Sequence, residues 1–257
     1  MVRTEHIWDK ALHCQVTLKH GASAAREYAL MNMFDSPEII RPIALRKDTL
    51  VLPHCMERSS DGIIGFCSER TAWKFLHDVA SGLAAIHGKG YIHHDIKPSN
   101  ILITDDGFAI SDFGACFKQG EDNAGWEDDA TSHSFSAPEW SAARKDTTSA
   151  YDIWALGASV FQIVMGAHIF GGRGGNAQKE TTPLPSLPKG RYSEELSALV
   201  CRCLAFRPED RPEAAEIVTL SQQHLQSFIK SERKLRCAAG PKYESAIDTL
   251  WPEDIDS

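Results

Sequence analysis

The sequence lacks the features of several large protein classes. It contains no run of 18 apolar residues, so it predicts no membrane-spanning helix. It has no repeat of fixed period and no low-complexity tract. A formal net charge of −8 argues against general binding to nucleic acid or to anionic membranes. The 42 % hydrophobic and 24 % charged content instead fits an ordinary globular protein.

Paired and metal-binding cysteines are also missing. The seven cysteines are odd in number, and no two of them have Cys-x-x-Cys spacing. The sequence therefore predicts neither a disulfide framework nor a zinc site. Free thiols are typical of a reducing compartment, so we expect a cytoplasmic protein. The oligomeric state is left open by the sequence.

The order of the predicted elements, strands first and helices afterwards, indicates an α+β fold. Residues 4–19, 39–45 and 49–52 predict strands, and residues 22–34 predict a helix between them. Pro53 cannot donate to a sheet, so the chain should leave the sheet there. Later periodicity predicts a hairpin over 101–110 and helices over about 68–87, 149–165, 193–205 and 213–229.

The most informative stretch is residues 91–102 (YIHHDIKPSNIL), which is followed by residues 111–114 (SDFG). These segments supply two carboxylates, a lysine and an amide, at Asp95, Asp112, Lys97 and Asn100. Phosphoryl transfer needs a group that orients a hydroxyl, a cation for the moving phosphate and oxygen ligands for Mg²⁺. The two segments resemble the catalytic loop and metal-binding turn of the eukaryotic-type protein kinases.

The resemblance implies a role for each of these side chains. Asp95 would accept the proton of the substrate hydroxyl, and Lys97 would neutralise the transferring phosphate. Asn100 and Asp112 would bind Mg²⁺. Lysine at position 97 resembles serine/threonine kinases more than tyrosine kinases. Any one aspartate alone would more simply be a turn or cap residue, but four matches at the family spacing outweigh that interpretation.

Three further motifs favour a protein substrate over a small molecule. They are residues 137–139 (APE), residues 152–157 (DIWALG) and Arg211. In protein kinases the glutamate of the first, here Glu139, pairs with the arginine beneath the substrate platform. The aspartate of the second, here Asp152, anchors the catalytic loop by hydrogen bonds. Small-molecule kinases of related fold usually diverge at these places.

The front of the chain resembles the ATP-binding lobe less closely. An ion pair between Lys19 and Glu27 would hold the lysine against the α- and β-phosphates of ATP. A surface lysine and a solvated helix glutamate are the simpler alternative. The hinge would pair with adenine through the carbonyl of Pro53 and the N–H of Cys55, with Leu102 beneath the base. Leu52 would be the gatekeeper, and the hydrophobic spine would be formed by Met31, His93 and Phe113.

The sequence departs from the family pattern at two places. No glycine-rich loop precedes Lys19, which suggests a truncated chain or an open roof over the phosphates, and hence weak ATP binding. The run at 171–175 (GGRGG) is no substitute, because no strand–turn–helix surrounds it. His94 replaces the arginine that usually reads an activation-loop phosphate. Since imidazole is mostly neutral near pH 7, we expect activity that does not depend on loop phosphorylation.

The sequence therefore predicts a eukaryotic-like serine/threonine protein kinase that uses ATP and Mg²⁺. Residues 170–178 and 183–188 also resemble small bacterial members of the family. A pseudokinase scaffold is the first rival, favoured by the missing glycine loop, and a small-molecule kinase is the second. The predicted division is a kinase domain over 1–230, with N-lobe 1–53, hinge 53–56 and C-lobe 57–230, followed by a tail over 231–257.

Overall fold

The computed structural model describes residues 3–54, 59–121, 133–141 and 147–239 of the chain. Its first part is a four-stranded antiparallel sheet with strand order β1-β2-β4-β3 and one helix. These elements are β1 Arg3–Asp9, β2 Cys14–His20, α1 Ala24–Met33, β3 Ala44–Arg46 and β4 Thr49–Pro53. Strand β2 carries Lys19 and helix α1 carries Glu27, and both residues lie where this part of the chain meets the mainly helical part that follows.

The strand predictions hold with one correction. The predicted strand over 39–45 is only Ala44–Arg46. Ile39 instead forms a single bridge to Ile110, and the Ile40 N–H donates to the Ile110 carbonyl at 3.0 Å. These two contacts attach the front lobe to the later hairpin, a pairing that local periodicity could not show. Pro53 is the last residue of β4, as its missing N–H predicts.

The second part is mainly helical. Its elements are α2 Glu69–His87, β5 Tyr91–Ile92, β6 Ile101–Thr104, β7 Gly107–Ile110, β8 Phe117–Lys118, α3 Ala150–Met165, α4 Glu194–Cys203 and α5 Ala214–Ala239. Ser68 caps α2 by accepting a hydrogen bond from the Thr71 N–H at 3.1 Å. The predicted hairpin is β6–β7, in which Leu102 pairs with Ala109. The predicted sheet lobe followed by a helical lobe is confirmed.

Helix α3 lies at the centre of the helical lobe. Every residue from Tyr151 to Val164 is buried, and Asp152 is the only charged residue of the helix. A helix that is apolar on all sides must be packed on all sides. A Cβ atom on Gly157 would lie only 2.8 Å from Cys203 Cβ, so this glycine allows α4 to pack closely. The carboxylate of Asp152 is therefore held in place by tightly packed apolar neighbours.

Helix α5 is longer than the sequence pattern indicates, since it runs to Ala239 and not to residue 229. It packs along α2, where His224 stacks on Trp73 with ring centroids 4.0 Å apart. Leu225 and Phe228 also pack against the core. The boundary at residue 230 stays a prediction, and residues 240–257 of the predicted tail lie outside the described ranges. Within those ranges no helix is long and apolar enough to cross a membrane.

Candidate active site

A cavity of about 270 Å³ lies between the sheet and the helical lobe. It brings together residues that are far apart in the sequence, from Thr4 to Asp112. Its lining includes most of the predicted site residues: Lys19, Glu27, Leu52, Pro53, Asn100, Leu102 and Asp112. Thr4 and Thr17 of the sheet, with Ser99 and Ser111, also line it and were not predicted. Cys55 of the predicted hinge lies outside the described residues.

Lys19 is the centre of a three-residue ionic cluster at one wall of the cavity. Its Nζ lies 2.6 Å from Glu27 Oε2 and 2.7 Å from Asp112 Oδ1. Burial lowers the pKa of Lys19, but the two carboxylates outweigh burial and raise it above its ordinary value. Ser23 Oγ donates to the other Glu27 oxygen at 2.8 Å. The predicted Lys19–Glu27 ion pair is thus confirmed, although α1 begins only at Ala24.

Asp112 holds an unusual backbone conformation. Its φ is +57°, a left-handed value that costs energy for a residue with a side chain. The Gly114 N–H donates to Asp112 Oδ1 at 3.1 Å, which fixes the turn. Burial raises the pKa of Asp112, but the neighbouring Lys19 outweighs burial and lowers it. The carboxylate is therefore ionised, and its side chain is still 43 % exposed towards the cavity.

Asp95 is held by two side-chain donors, Lys97 and Asn100, of which Asn100 lines the cavity. Lys97 Nζ donates to Asp95 Oδ1 at 3.0 Å and to Oδ2 at 2.8 Å. Asn100 Nδ2 donates to Asp95 Oδ2 at 2.8 Å and to the Asp95 carbonyl at 2.9 Å. Because the amide nitrogen of Asn100 is committed to Asp95, its oxygen is the atom left for a cation. Burial raises the pKa of Asp95 despite the attraction of Lys97.

The donor set fits Mg²⁺ chemistry. Magnesium is usually held by one or two carboxylates together with substrate phosphates and water, not by an all-protein cage. The Asn100 oxygen and the Asp112 carboxylate both line the cavity and can supply such a partial set.

Asp152 of α3 anchors the segment that carries Asp95 by hydrogen bonds. The two Asp152 oxygens accept the N–H groups of His93 and His94, each at 2.8 Å, and His87 Nε2 lies 2.8 Å from Oδ2. Burial raises the pKa of Asp152, but His87 and these amides outweigh it and lower it. The predicted anchoring role of Asp152 is confirmed. His94 also has a left-handed φ of +67°, which this double anchor stabilises.

Aromatic packing connects the two lobes behind the cavity. The rings of His93 and Phe113 meet edge to face at 4.9 Å, and Phe34 stacks on Phe113 at 5.6 Å. Met31, the third predicted member of the spine, is buried in the same core. Phe34 was not assigned to the spine from the sequence, although it follows the apolar face of α1.

His94 itself is packed between two aromatic rings. It stacks on Tyr151 with centroids 4.4 Å apart and meets Phe117 edge to face at 5.2 Å. The residue is only 2 % exposed. The sequence identified the replacement of arginine, but only the structure shows that the imidazole is enclosed.

Below the site, Arg211 and Glu139 form the predicted pair. Nη1 lies 2.6 Å from Oε1, and Nη2 lies 2.8 Å from Oε2. The guanidinium also donates to three backbone carbonyls, those of Ala150, Ala205 and Phe206. All five N–H groups of this arginine are therefore satisfied in a position where its side chain is fully buried.

Comparison with known proteins matches residues 9–221 to the protein kinase domain. The chain is 30 % identical over 161 residues to the serine/threonine-protein kinase pim-2 of Danio rerio, covering 60 % of this chain and 48 % of that protein. It is 29 % identical over 211 residues to the serine/threonine-protein kinase STE20 of Saccharomyces cerevisiae, covering 75 % and 22 %. The serine/threonine-protein kinase PknK of Mycobacterium bovis is 32 % identical over 144 residues, covering 53 % and 13 %.

The chain thus spans less than half the length of these relatives. The family match itself spans most of the chain and includes both ionic clusters, the Glu139–Arg211 pair and every cavity residue except Thr4. It implies ATP as the phosphoryl donor. The resemblance of the catalytic loop is therefore confirmed: the chain belongs to the protein kinase domain family.

Proposed function

We propose that this chain transfers the γ-phosphoryl group of ATP to serine or threonine hydroxyls of a protein. The observation that carries the proposal is a pair of ionic clusters, one of which lines the cavity while the other reaches it through Asn100. One cluster is Lys19 with Glu27 and Asp112, and the other is Asp95 with Lys97 and Asn100. A scaffold without catalysis would not need Asp95 to be held by both a lysine and an amide.

Each cluster supplies a different part of the chemistry. Lys19, fixed by Glu27, would bind the α- and β-phosphates, and Lys97 would offset charge on the group in transfer. Asp95 would orient the acceptor hydroxyl and accept its proton. Mg²⁺, held by Asn100 and Asp112, would neutralise the phosphate oxygens. The raised pKa of Asp95 favours proton acceptance, since a more basic carboxylate is the better base.

The adenine would lie in the apolar end of the same cavity. Pro53 lines the cavity, and we propose that its carbonyl and the Cys55 N–H pair with the base. Leu102 would form the floor. Thr17, which is only 1 % exposed, lies in the roof with its hydroxyl 3.2 Å from His6 Nδ1.

Two features support a protein acceptor over a small molecule. They are the bidentate Glu139–Arg211 pair and the hydrogen bond that anchors the catalytic loop to Asp152. We propose residues 1–230 as the catalytic unit, with N-lobe 1–53, hinge 53–56 and C-lobe 57–230. The cytoplasmic location stays a prediction from the free cysteines.

Phosphate transfer tests the proposal directly. With labelled ATP, Mg²⁺ and a generic basic protein, the wild-type chain should incorporate label into phosphoserine or phosphothreonine. Asp112→Asn should reduce incorporation to background, because the metal ligand and the partner of Lys19 are both weakened. Asp106→Asn is the matched control, since Asp106 is an exposed residue of the β6–β7 turn. Wild-type protein that binds nucleotide but transfers nothing would instead support the scaffold alternative.

Activity is further expected to be independent of activation-loop phosphorylation. The enclosed His94 cannot reach a phosphate, and it lacks the bidentate donor geometry of a guanidinium. Among the hydroxyls near the loop, Ser136 is fully buried and Ser134 already donates to the Gly172 carbonyl at 3.0 Å. Thr131 and Ser132, which precede them, lie outside the described residues.

Phosphatase treatment tests whether activity depends on phosphorylation of the loop. Protein freed of phosphate, as verified by mass, should retain most of its initial rate, and Thr131→Ala should behave in the same way. A loss of tenfold or more after dephosphorylation, about 1.4 kcal/mol of barrier, would contradict the expectation. Such a loss would mean that a cationic side chain elsewhere, and not His94, binds the loop phosphate.

A further inference from the structure

A glycine-rich turn follows α3 and takes no part in the cavity or the ion pairs. We call residues 170–178 the glycine turn and residues 133–138 the platform segment. The sequence of the turn is FGGRGGNAQ, and it cannot be a phosphate loop because it follows a helix. The structure packs it against the platform segment, on the helical lobe that carries Asp95.

Two hydrogen bonds join the turn to the platform segment. The Gly175 N–H donates to the Ser136 carbonyl at 2.7 Å. Ser134 Oγ donates to the Gly172 carbonyl at 3.0 Å. Both bonds use backbone atoms of the turn, so they depend on the path of the turn and not on any of its side chains.

The packing leaves no room for a side chain at two of the glycines. A Cβ atom on Gly174 would lie 2.2 Å from the His133 carbonyl oxygen, and Gly174 also has a left-handed φ of +54°. A Cβ atom on Gly175 would lie 2.2 Å from the Pro138 nitrogen and 2.4 Å from the Ala137 carbonyl carbon. Because these neighbours are backbone atoms, an added methyl group must displace the platform segment itself.

The turn is fixed on its other side by Gln178, which is 6 % exposed. Its Oε1 accepts from Trp154 Nε1 of α3 at 3.0 Å, and its Nε2 donates to the Leu204 carbonyl at 2.8 Å. A buried amide with both ends satisfied is a rigid anchor. The glycine turn therefore connects the platform segment to α3 and α4, so these two helices fix where the segment lies.

The platform segment is also connected to the catalytic loop. Ser136 hydrogen-bonds to the hydroxyl of Tyr151, a residue whose pKa is raised by burial. Tyr151 stacks on His94, which directly precedes Asp95. The segment is thus held between the glycine turn on one side and the residues beside the proposed base on the other.

We propose that the glycine turn positions the platform segment for the protein acceptor, with Gly174 and Gly175 as positioning residues. The proposal rests on the function proposed above. It assigns to the turn the placement of the surface that the acceptor contacts, so a displaced platform segment should weaken acceptor binding and leave the proposed base in position. Nucleotide binding, on the other side of Asp95, should not depend on the turn.

Gly175→Ala distinguishes an effect on the protein acceptor from an effect on nucleotide binding. It should raise KM for a protein acceptor at least tenfold, with kcat within threefold and affinity for an ATP analogue unchanged. Gly62→Ala is the matched control, since Gly62 has nothing within 4 Å of an added Cβ. Gly171→Ala controls for backbone strain in the same turn, because its φ is +64° but its added Cβ also meets nothing within 4 Å. Equal effects at Gly171 and Gly175 would overturn the contact argument.

Hydrogen exchange gives a readout that does not need turnover. In Gly175→Ala the backbone N–H groups of residues 133–137 should exchange at least tenfold faster, with those of α3 unchanged. If the wild type transfers no phosphate, the proposed function fails and exchange alone decides the positioning role. If Gly175→Ala does not fold, Ser134→Ala, which loses one bond and adds no volume, should raise KM twofold to fivefold. Unchanged KM and unchanged exchange would overturn the inference.

Discussion

Replacing Asp95 by asparagine is expected to lower kcat by about 10²- to 10⁴-fold, the usual contribution of a general base. The substitution keeps the shape of the side chain, so packing is conserved. It removes the negative charge that Lys97 contacts at 2.8 Å, and with it the oxygen that we propose as the base. Asn100, which donates to the same oxygen, would keep a partner only if the new amide presents its oxygen.

The measurement is steady-state transfer to a protein acceptor at saturating ATP. Affinity for an ATP analogue should stay within a few-fold of wild type, because Asp95 is not expected to bind the nucleotide. Asp106→Asn makes the same chemical change at an exposed turn and should leave kcat unaltered. If Asp95→Asn retained most of its rate, the base would have to be another group, and the proposed mechanism would be wrong.

Breaking the Glu139–Arg211 pair is expected to destabilise the protein by about 3–5 kcal/mol. In Glu139→Ala the guanidinium stays fully buried with three carbonyls but no counter-charge. In Arg211→Ala five hydrogen bonds are lost, and three partly buried carbonyls lose a donor. The effect should be larger for Arg211→Ala because it removes all five of these bonds, although Glu139, which is 19 % exposed, can be partly hydrated once it is unpaired.

Denaturant unfolding of both single mutants and of the double mutant measures the pair. The double mutant should be less destabilised than the sum of the singles, because the second substitution removes a charge that is already unpaired. Arg207→Ala is the control: Arg207 pairs with Glu180 at 2.6 Å, but both side chains are more than half exposed. Its loss should cost no more than about 1 kcal/mol. Additive effects at Glu139 and Arg211 would show that the pair contributes no coupling.

Much of the site could be predicted because its residues lie in short contiguous motifs. Asp95, Lys97 and Asn100 fall within six positions, and a loop this short limits how far apart they can lie. The Lys19–Glu27 pair is similar, since strand β2 leads almost directly into α1. The roof residues Thr4 and Thr17 could not be identified in this way. They reach the cavity through the pairing of β1 with β2, and neither carries a motif of its own.

The misses in the fold have a common cause. Residues 39–43 (IIRPI) are mainly apolar, as in a strand, yet Ile39 and Ile40 pair with Ile110 of a distant hairpin. The end of α5 was placed ten residues too early, at residue 229, because its charged final part shows little amphipathic period. In each case a contact with another element, or helix propagation from a packed first half, outweighed the local pattern.

The sequence by itself determined the family, the chemical groups and their order along the chain, because the motifs are local and each requires particular side chains. The tertiary structure decided which of those groups meet. It joined Lys19 to Asp112 across the two lobes, enclosed His94 between Tyr151 and Phe117, and placed the glycine turn under the platform segment. These contacts connect residues far apart in the chain, and close packing of the core, which no local pattern encodes, sets their distances.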